Sequence, residues 1–512
     1  MELYEWQKEC LENWAENQYN GIVNVVTGAG KTVLALAAIS LLFSVLKSEG
    51  RRLRVRIVVP TTWLSRQWKD ALEEHFPGLA ETEGIGIFSG TRKDSFRCSC
   101  TIYVVNSARY TITRHMKEDL EEGFDVLLIA DECHHYGSPE NRKILDYQKY
   151  LKGSESHIYT LALSATPECA EYDRVLKPSF GDEIYRYGFV KAVRERTVSS
   201  YRIAQVALSF TSRELSDYDE LSTKIAYIST RLKEEYPSLK KLSIADFIKA
   251  VSRLASQEEE LPSAYLALCF QRADISRNAE ARIGCTLSLI RRLEQSKKVL
   301  IFCERISQAE ALYTQMRGSV YGKVVRYHSD LSREARHTSL EQFRSGEARI
   351  LISCRALDEG MDVPAAEIGI VMSCESQQRQ RVQRLGRILR RSPEKGTAVL
   401  YYLYVSESSE DRAYLPDLTD PSRIFYLDYL KEDDDFLNHS YEELAANLWS
   451  EALELFPADD AKQHELRKCL QEGLVRQDYL QSPEYCAQQI TSAQTQHERN
   501  YWICMKRLCG MR

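Results

Sequence analysis

Two short stretches carry residue types that could do phosphate chemistry. Thr27-Gly28-Ala29-Gly30-Lys31-Thr32 follows an apolar run and opens a segment rich in Ala and Leu. Glycines there let the backbone wrap closely around phosphate oxygens, and a helix starting at the lysine adds free N–H groups and the positive end of its dipole. Lys31 would reach the β and γ phosphates and Thr32 would ligate Mg2+. The usual phosphate-loop pattern begins with Gly or Ala six residues before the lysine, and Val25 stands there instead. Further along, Asp131-Glu132-Cys133-His134-His135 closes the apolar run VLLIA. Asp131 at such a strand end can hold a metal, and Glu132 beside it can orient or deprotonate an attacking water. Taken together the two stretches imply hydrolysis of Mg–ATP.

Other chemistry fits less well. Cys133, His134 and His135 with Cys98 and Cys100 do not have the spacing that a zinc site uses, and Cys469, Cys486, Cys504 and Cys509 are too far apart to form one. The 14 cysteines are scattered singly, and MELYEWQKEC lacks the basic and then apolar start of a secretion signal. A reducing cytoplasmic location is therefore expected. The most apolar stretch, 33–46, reads as a core helix, and no membrane role is expected. Net charge is −6 with a pI of 6.0, which does not advertise nucleic-acid binding, although a local basic groove can work inside an acidic protein.

These residues need elements to position them. A short helix before residue 20 leads into a strand at 21–26, and apolar runs follow at 56–60, 101–106, 125–132 and 158–166, separated by helical stretches. Further runs at 299–303, 324–328, 350–353, 368–373 and 398–404 repeat the alternation. Continuous apolar strands between helices indicate parallel sheets covered on both faces, so two α/β units are expected. The expected divisions are a first α/β domain over 1–186, a linker and mostly helical insert over 187–296, a second α/β domain over 297–406, and an acidic connection with a helical C-terminal region over 407–512.

With those motifs in order, the chain resembles the superfamily 2 helicases. GAGKT, DECH and SAT (164–166) are similar to motifs I, II and III, and VVPTTWLSRQW (58–68) to motif Ia. KVLIFCER (298–305), CRALDEGMDVP (354–364) and QRLGRILR (383–390) resemble motifs IV, V and VI, and residues 3–7 resemble the glutamine motif. The resemblance is closest to the DExH branch that holds restriction translocases and repair or transcription DNA helicases. Leu389 stands where motif VI commonly has Gly, and Cys354 where motif V often has Thr.

The resemblance implies two tandem RecA-like domains with Mg–ATP bound in the cleft between them. It makes Gln7 the reader of adenine and places Gly360 and Asp362 on a loop that senses nucleotide. Gln383, Arg387 and Arg390 would enter the cleft from the second domain, the arginines as fingers. In related enzymes such an arginine is worth on the order of 10³–10⁵ in rate. Ser164 and Thr166 would couple hydrolysis to movement, and Thr61, Thr62, Arg66, Asn106, Arg305 and Arg355 would contact the nucleic-acid backbone. Each of those contacts also reads as an ordinary solvated residue.

An ATP-dependent helicase or translocase acting on DNA is the leading expectation, with DNA repair, restriction or antiviral defence as its setting. The alternatives are a subunit that remodels protein–DNA complexes, or a nucleic-acid-gated switch that recruits a separate nuclease, since no nuclease motif is present. The arginines at 272, 277, 282, 291 and 292 suggest either a helical arm that grips duplex or charged helix faces in water. Trp502, Lys506 and Arg507 suggest a C-terminal packing helix or a contact to nucleic acid or a partner.

Overall fold

The structure is a computed structural model that describes residues 3–354, 366–373, 397–439, 482–492 and 502–506, apart from 79–83, 152, 155–156, 168–170, 243, 319–322, 407, 409, 411–423 and 504. The described residues form two compact units, one up to Ser200 and one from Tyr201 onward.

The first unit holds seven strands: β1 (Ile22–Val25), β2 (Arg52–Val59), β3 (Ile85–Phe88), β4 (Cys100–Val104), β5 (Phe124–Asp131), β6 (Ile158–Ser164) and β7 (Glu183–Tyr187). They lie in the order β3-β4-β2-β5-β6-β1-β7, and every pairing is parallel. Val, Ile and Leu fill β1, β5 and β6, which are buried along almost their whole length, as a sheet covered on both faces requires. Helices α1 (Glu5–Glu16), α2 (Lys31–Ser48), α3 (Thr62–His75) and α4 (Val105–Glu121) flank it.

Helix α2 extends beyond the expected core segment at both ends, to 18 residues, and is long and apolar enough to cross a membrane. Its Leu34, Ala35, Ala38, Ile39 and Leu42 are buried. That placement suits a helix covering a parallel sheet. Trp6 of α1 stacks on Tyr187 at 4.6 Å, and Trp14 Nε1 donates to the Thr160 carbonyl at 2.9 Å, so α1 is pinned to two strands.

The second unit has β8 (Tyr201–Leu208), β9 (Val299–Cys303), β10 (Val324–Tyr327), β11 (Ile350–Cys354), β12 (Ile368–Val371), β13 (Ala398–Val405), β14 (Ile424–Leu430) and β15 (Asp435–His439). Their order is β10-β11-β9-β12-β13-β8-β14-β15, parallel except for the antiparallel β14–β15 pair.

Two expected divisions change. Strand β8 lies within the stretch read as linker and insert, yet it pairs with β13 over eight residues and lies between β13 and β14 in the second unit's sheet. The acidic connection contains β14 and β15, which extend that sheet. Of the expected insert, helix Ala281–Arg292 sends Ala281, Cys285, Leu289 and Ile290 into the main core of the second unit. The helices Ser212–Glu235, Ile244–Ala255 and Glu260–Arg277 instead share a small core of Leu232, Leu239, Phe247 and Val251.

Candidate nucleotide site

The glycine loop leaves β1 and turns into α2. Gly28 and Gly30 have φ of 88° and 101°, left-handed values that a Cβ disfavours. A Cβ at Gly30 would also come within 3.0 Å of Gln7 Nε2. Gln7 is fully buried; its Nε2 donates to the Gly30 carbonyl at 3.1 Å and its Oε1 accepts from the Tyr4 N–H at 2.9 Å. The glutamine expected to read adenine is thus also a brace for the loop. Thr32 is the second residue of α2, beside Lys31 at its start.

Lys31 Nζ donates to Glu132 Oε1 at 2.8 Å, with 11% of the lysine side chain and 16% of the glutamate exposed. Burial alone would raise the Glu132 carboxyl, but the Lys31 ammonium and then His134 overcome it and hold the group at about 2. Burial acts first on Lys31 as well, pulling it down, and Glu132 and Asp131 more than restore it, so the ammonium persists. Asp131 is raised, first by burial and then by the Glu132 charge. Its Oδ1 accepts the Glu132 N–H at 3.0 Å and its Oδ2 accepts Trp68 Nε1 at 2.9 Å. Glu132 itself has φ 49° and ψ 52°. A non-glycine residue in that region costs on the order of 1–3 kcal/mol and persists only where its surroundings enforce it.

The sheet order puts β6 between β1 and β5, so Ser164 at the end of β6 stands between the glycine loop and the carboxylates. Its hydroxyl lies 2.9 Å from His134 Nδ1 and accepts the Thr166 N–H at 3.0 Å. His134 Nδ1 is in turn 3.5 Å from Glu132 Oε2. The Tyr136 hydroxyl, 2.7 Å from the Asp131 carbonyl and 2.9 Å from that of Val58, ties the turn after β5 to β2. A chain of contacts therefore runs from Lys31 through Glu132 and His134 to Ser164 and Thr166.

The residues fit a magnesium nucleotide. Thr27 Oγ1 in the loop and Thr166 Oγ1 are buried hydroxyls with no hydrogen-bond partner among the described residues. The two left-handed glycines leave no Cβ at their own positions in the loop, and among the described residues the lysine's hydrogen-bonded partner is a carboxylate. Among the described residues no group of His, Cys, Asp and Glu forms a separate metal cluster, and all described cysteines are free thiols.

The expected strand contacts separate into groups. Thr61 caps α3, its Oγ1 accepting the Leu64 N–H at 3.3 Å, while Thr62 and Arg66 are exposed on the first turns of that helix. Asn106 is exposed near the start of α4, and its Oδ1 accepts from Arg109 Nη2 at 2.5 Å. Arg305, in the second unit, forms an ion pair with Asp274 and lies over the Phe270 ring. Gln383, Arg387, Arg390, Gly360, Asp362 and Arg355 lie outside the described residues.

Among the insert arginines, Arg291 and Arg292 are exposed on their helix, as a solvated charged face would be, whereas Arg282 is not. Arg282 is fully buried, paired with Glu410 and donating to the carbonyls of Ser276 at 2.8 Å and Leu403 at 3.2 Å. Arg277 pairs with Glu304 at 3.3 Å, and Arg291 and Arg292 pair with Asp434 and Asp435 at 2.6 and 3.0 Å. These side chains bind the second unit to itself. Near the C-terminus, Trp502 packs edge-on against Tyr485, as a packing helix would.

Comparison with known proteins agrees with this geometry. Residues 1–169 match the family model described as type III restriction enzyme, res subunit, and residues 281–392 match that of the helicase conserved C-terminal domain. A protein of Sulfurisphaera tokodaii named "DNA 3'-5' translocase XPB2" is 30% identical over 78% of this chain and 81% of its own length. "DNA 3'-5' helicase XPB" of Kineococcus radiotolerans is 24% identical over 80% of this chain and 61% of that protein. The solved structure of the Pyrococcus furiosus Hef helicase domain superposes with a TM-score of 0.50 at 16% identity, covering 80% of this chain and 97% of that domain, which bears on the fold. The chain accordingly belongs to the superfamily 2 helicases, as an ATP-hydrolysing enzyme with two RecA-like domains in the branch related to XPB-like translocases and restriction subunits.

Proposed function

We propose that the chain is an ATP-driven DNA translocase moving 3' to 5'. The observation that carries this is the part-buried Lys31–Glu132 pair at 2.8 Å, with Asp131 beside it, in a chain whose relatives are named as DNA translocases and helicases. Lys31 holds the phosphates once its bond to Glu132 is exchanged, and the freed Glu132 carboxylate accepts a proton from water. Asp131 and Thr32 would hold the metal, which supplies charge neutralisation at the β and γ phosphates. Gln7 keeps the glycine loop in shape from beneath. Arg387 and Arg390 complete the charge around the phosphates in this reading, on the strength of the motif VI resemblance. Thr62, Arg66 and Asn106 are the exposed groups that meet the DNA backbone.

The test is DNA-stimulated ATPase together with displacement of a triplex-forming strand and unwinding of a labelled duplex. Triplex displacement powered by ATP is the expected result. ATP turnover without either movement would leave a gated switch in place of a motor. If Lys31→Ala or Glu132→Gln retained wild-type stimulated ATPase, the assignment of the site would be wrong.

A further inference from the structure

Trp68 is a fully enclosed side chain, 1% exposed, and its indole N–H has one direction in which to donate. Buried tryptophans usually satisfy that proton with whatever acceptor is near, and Trp14 does so with a backbone carbonyl. Trp68 instead donates to Asp131 Oδ2 at 2.9 Å. Because Oδ1 accepts the Glu132 N–H, the carboxylate plane is set by two donors from two separate elements, the turn after β5 and helix α3.

Helix α3 has two faces with different tasks. Ser65 and Trp68 are buried, and Thr61 closes the N-terminus of the same face as a cap. Thr62 and Arg66, four apart and therefore adjacent on the helix surface, are exposed. Arg66 and Trp68 are separated by about 3 Å along the axis, at 1.5 Å per residue. An N–H···O bond at 2.9 Å weakens once its atoms separate by a few tenths of an ångström or its angle closes. A displacement of the outer face of α3 that moves Trp68 would therefore disturb its bond to the Asp131 carboxylate.

We infer that Trp68 is a positioning residue through which strand contact at Thr62 and Arg66 and nucleotide binding at Asp131 become coupled. This rests on the motor reading above. Coupling between two binding sites is reciprocal and commonly amounts to about five- to 150-fold in affinity. It can be read from binding alone, without turnover.

The experiment measures binding of a fluorescein-labelled single-stranded oligothymidine by anisotropy, with and without the magnesium complex of a non-hydrolysable ATP analogue. In the wild-type full chain the two affinities should differ by at least about five-fold. Trp68→Phe keeps a large apolar ring and removes the N–H, and its ratio should fall to near one. A wild-type ratio of one would overturn the motor reading and this inference with it. A wild-type ratio above five that Trp68→Phe leaves unchanged would overturn this inference alone.

If Trp68→Phe does not fold, fluorine NMR of the wild-type chain labelled with 5-fluorotryptophan carries the same test. There are six tryptophans, so replacing the other five one at a time assigns the Trp68 resonance by elimination. Movement of that resonance with each of the two ligands supports the coupling, and indifference to either one overturns it.

Discussion

Two ion pairs of the first unit, Arg56–Asp119 and Lys31–Glu132, are held differently. Arg56 and Asp119 are both fully enclosed; Arg56 Nε and Nη2 each donate to the carboxylate at 2.7 Å, and Nη1 donates to the Cys98 carbonyl at 3.0 Å and to Thr101 Oγ1 at 3.1 Å. Arg54 adds a further bond to Asp119 at 2.7 Å. Lys31 and Glu132, by contrast, share one hydrogen bond, keep 11% and 16% of their side chains accessible, and include a glutamate in a left-handed backbone conformation. Saturated coordination marks a charge that holds the fold together. A single exchangeable bond beside a strained backbone marks a charge that waits for another partner.

Removing a partner should therefore do opposite things at the two places. Asp119→Ala leaves two arginines facing a buried void, and loss of one member of a buried pair costs about 3–5 kcal/mol. In a unit of this size that lowers the melting temperature by roughly 10 °C. Thermal unfolding followed by circular dichroism checks it, and a shift of a degree or two would erase the distinction between the pairs.

Lys31→Ala should leave the melting temperature almost where it is and reduce DNA-stimulated ATPase by at least about 10²-fold, the scale on which a preorganised charge donor acts. A large stability loss with modest loss of turnover would mean that Lys31–Glu132 belongs with Arg56–Asp119 as a structural pair.

The comparison also shows what could be read from residue types alone. Lys31, Asp131 and Glu132 were legible because phosphate and metal chemistry demands those side chains at strand ends. The strands β5, β6, β9 and β11 were legible because parallel strands covered on both faces leave unbroken apolar runs. Strand β7, EIYRY, sits at the sheet edge with most of its residues half-exposed, and its alternating composition does not stand out. Strands β14 and β15 flank KEDDD, so their apolar residues were hidden by a turn rich in charge. Trp68 was visible as a residue but not as a ligand of Asp131, because that contact depends on which face α3 turns toward the sheet. The fixed contents of Arg56 and Asp119 were missed for the same reason: they lie in β2 and α4, and only the packing brings them together.

A smaller effect sharpens the account of the loop. Gly30→Ala places a Cβ at φ 101° and 3.0 Å from Gln7 Nε2. The left-handed conformation costs a side chain about 1–2 kcal/mol, which corresponds to roughly five- to 30-fold in an equilibrium. The KM for ATP should rise by that factor. An unchanged KM would show that the loop tolerates a Cβ and that its shape is not set by Gln7.

The smallest expected effect concerns the far end of the contact chain. Ser164 is fully buried and its hydroxyl serves both the Thr166 N–H and the His134 ring, so Ser164→Ala removes one neutral group from two hydrogen bonds without touching Lys31, Asp131 or Glu132. Such a bond contributes about 0.5–1.5 kcal/mol, equivalent to a two- to ten-fold change. If Ser164 transmits the state of Glu132 along His134, the loss falls on triplex displacement per ATP hydrolysed, and ATPase itself declines less. Ser164→Thr, which restores a hydroxyl, should recover the yield. Equal loss of displacement and ATPase would place Ser164 with the groups that merely hold the turn after β5, alongside Tyr136, and would confine the coupling path to helix α3 and its indole.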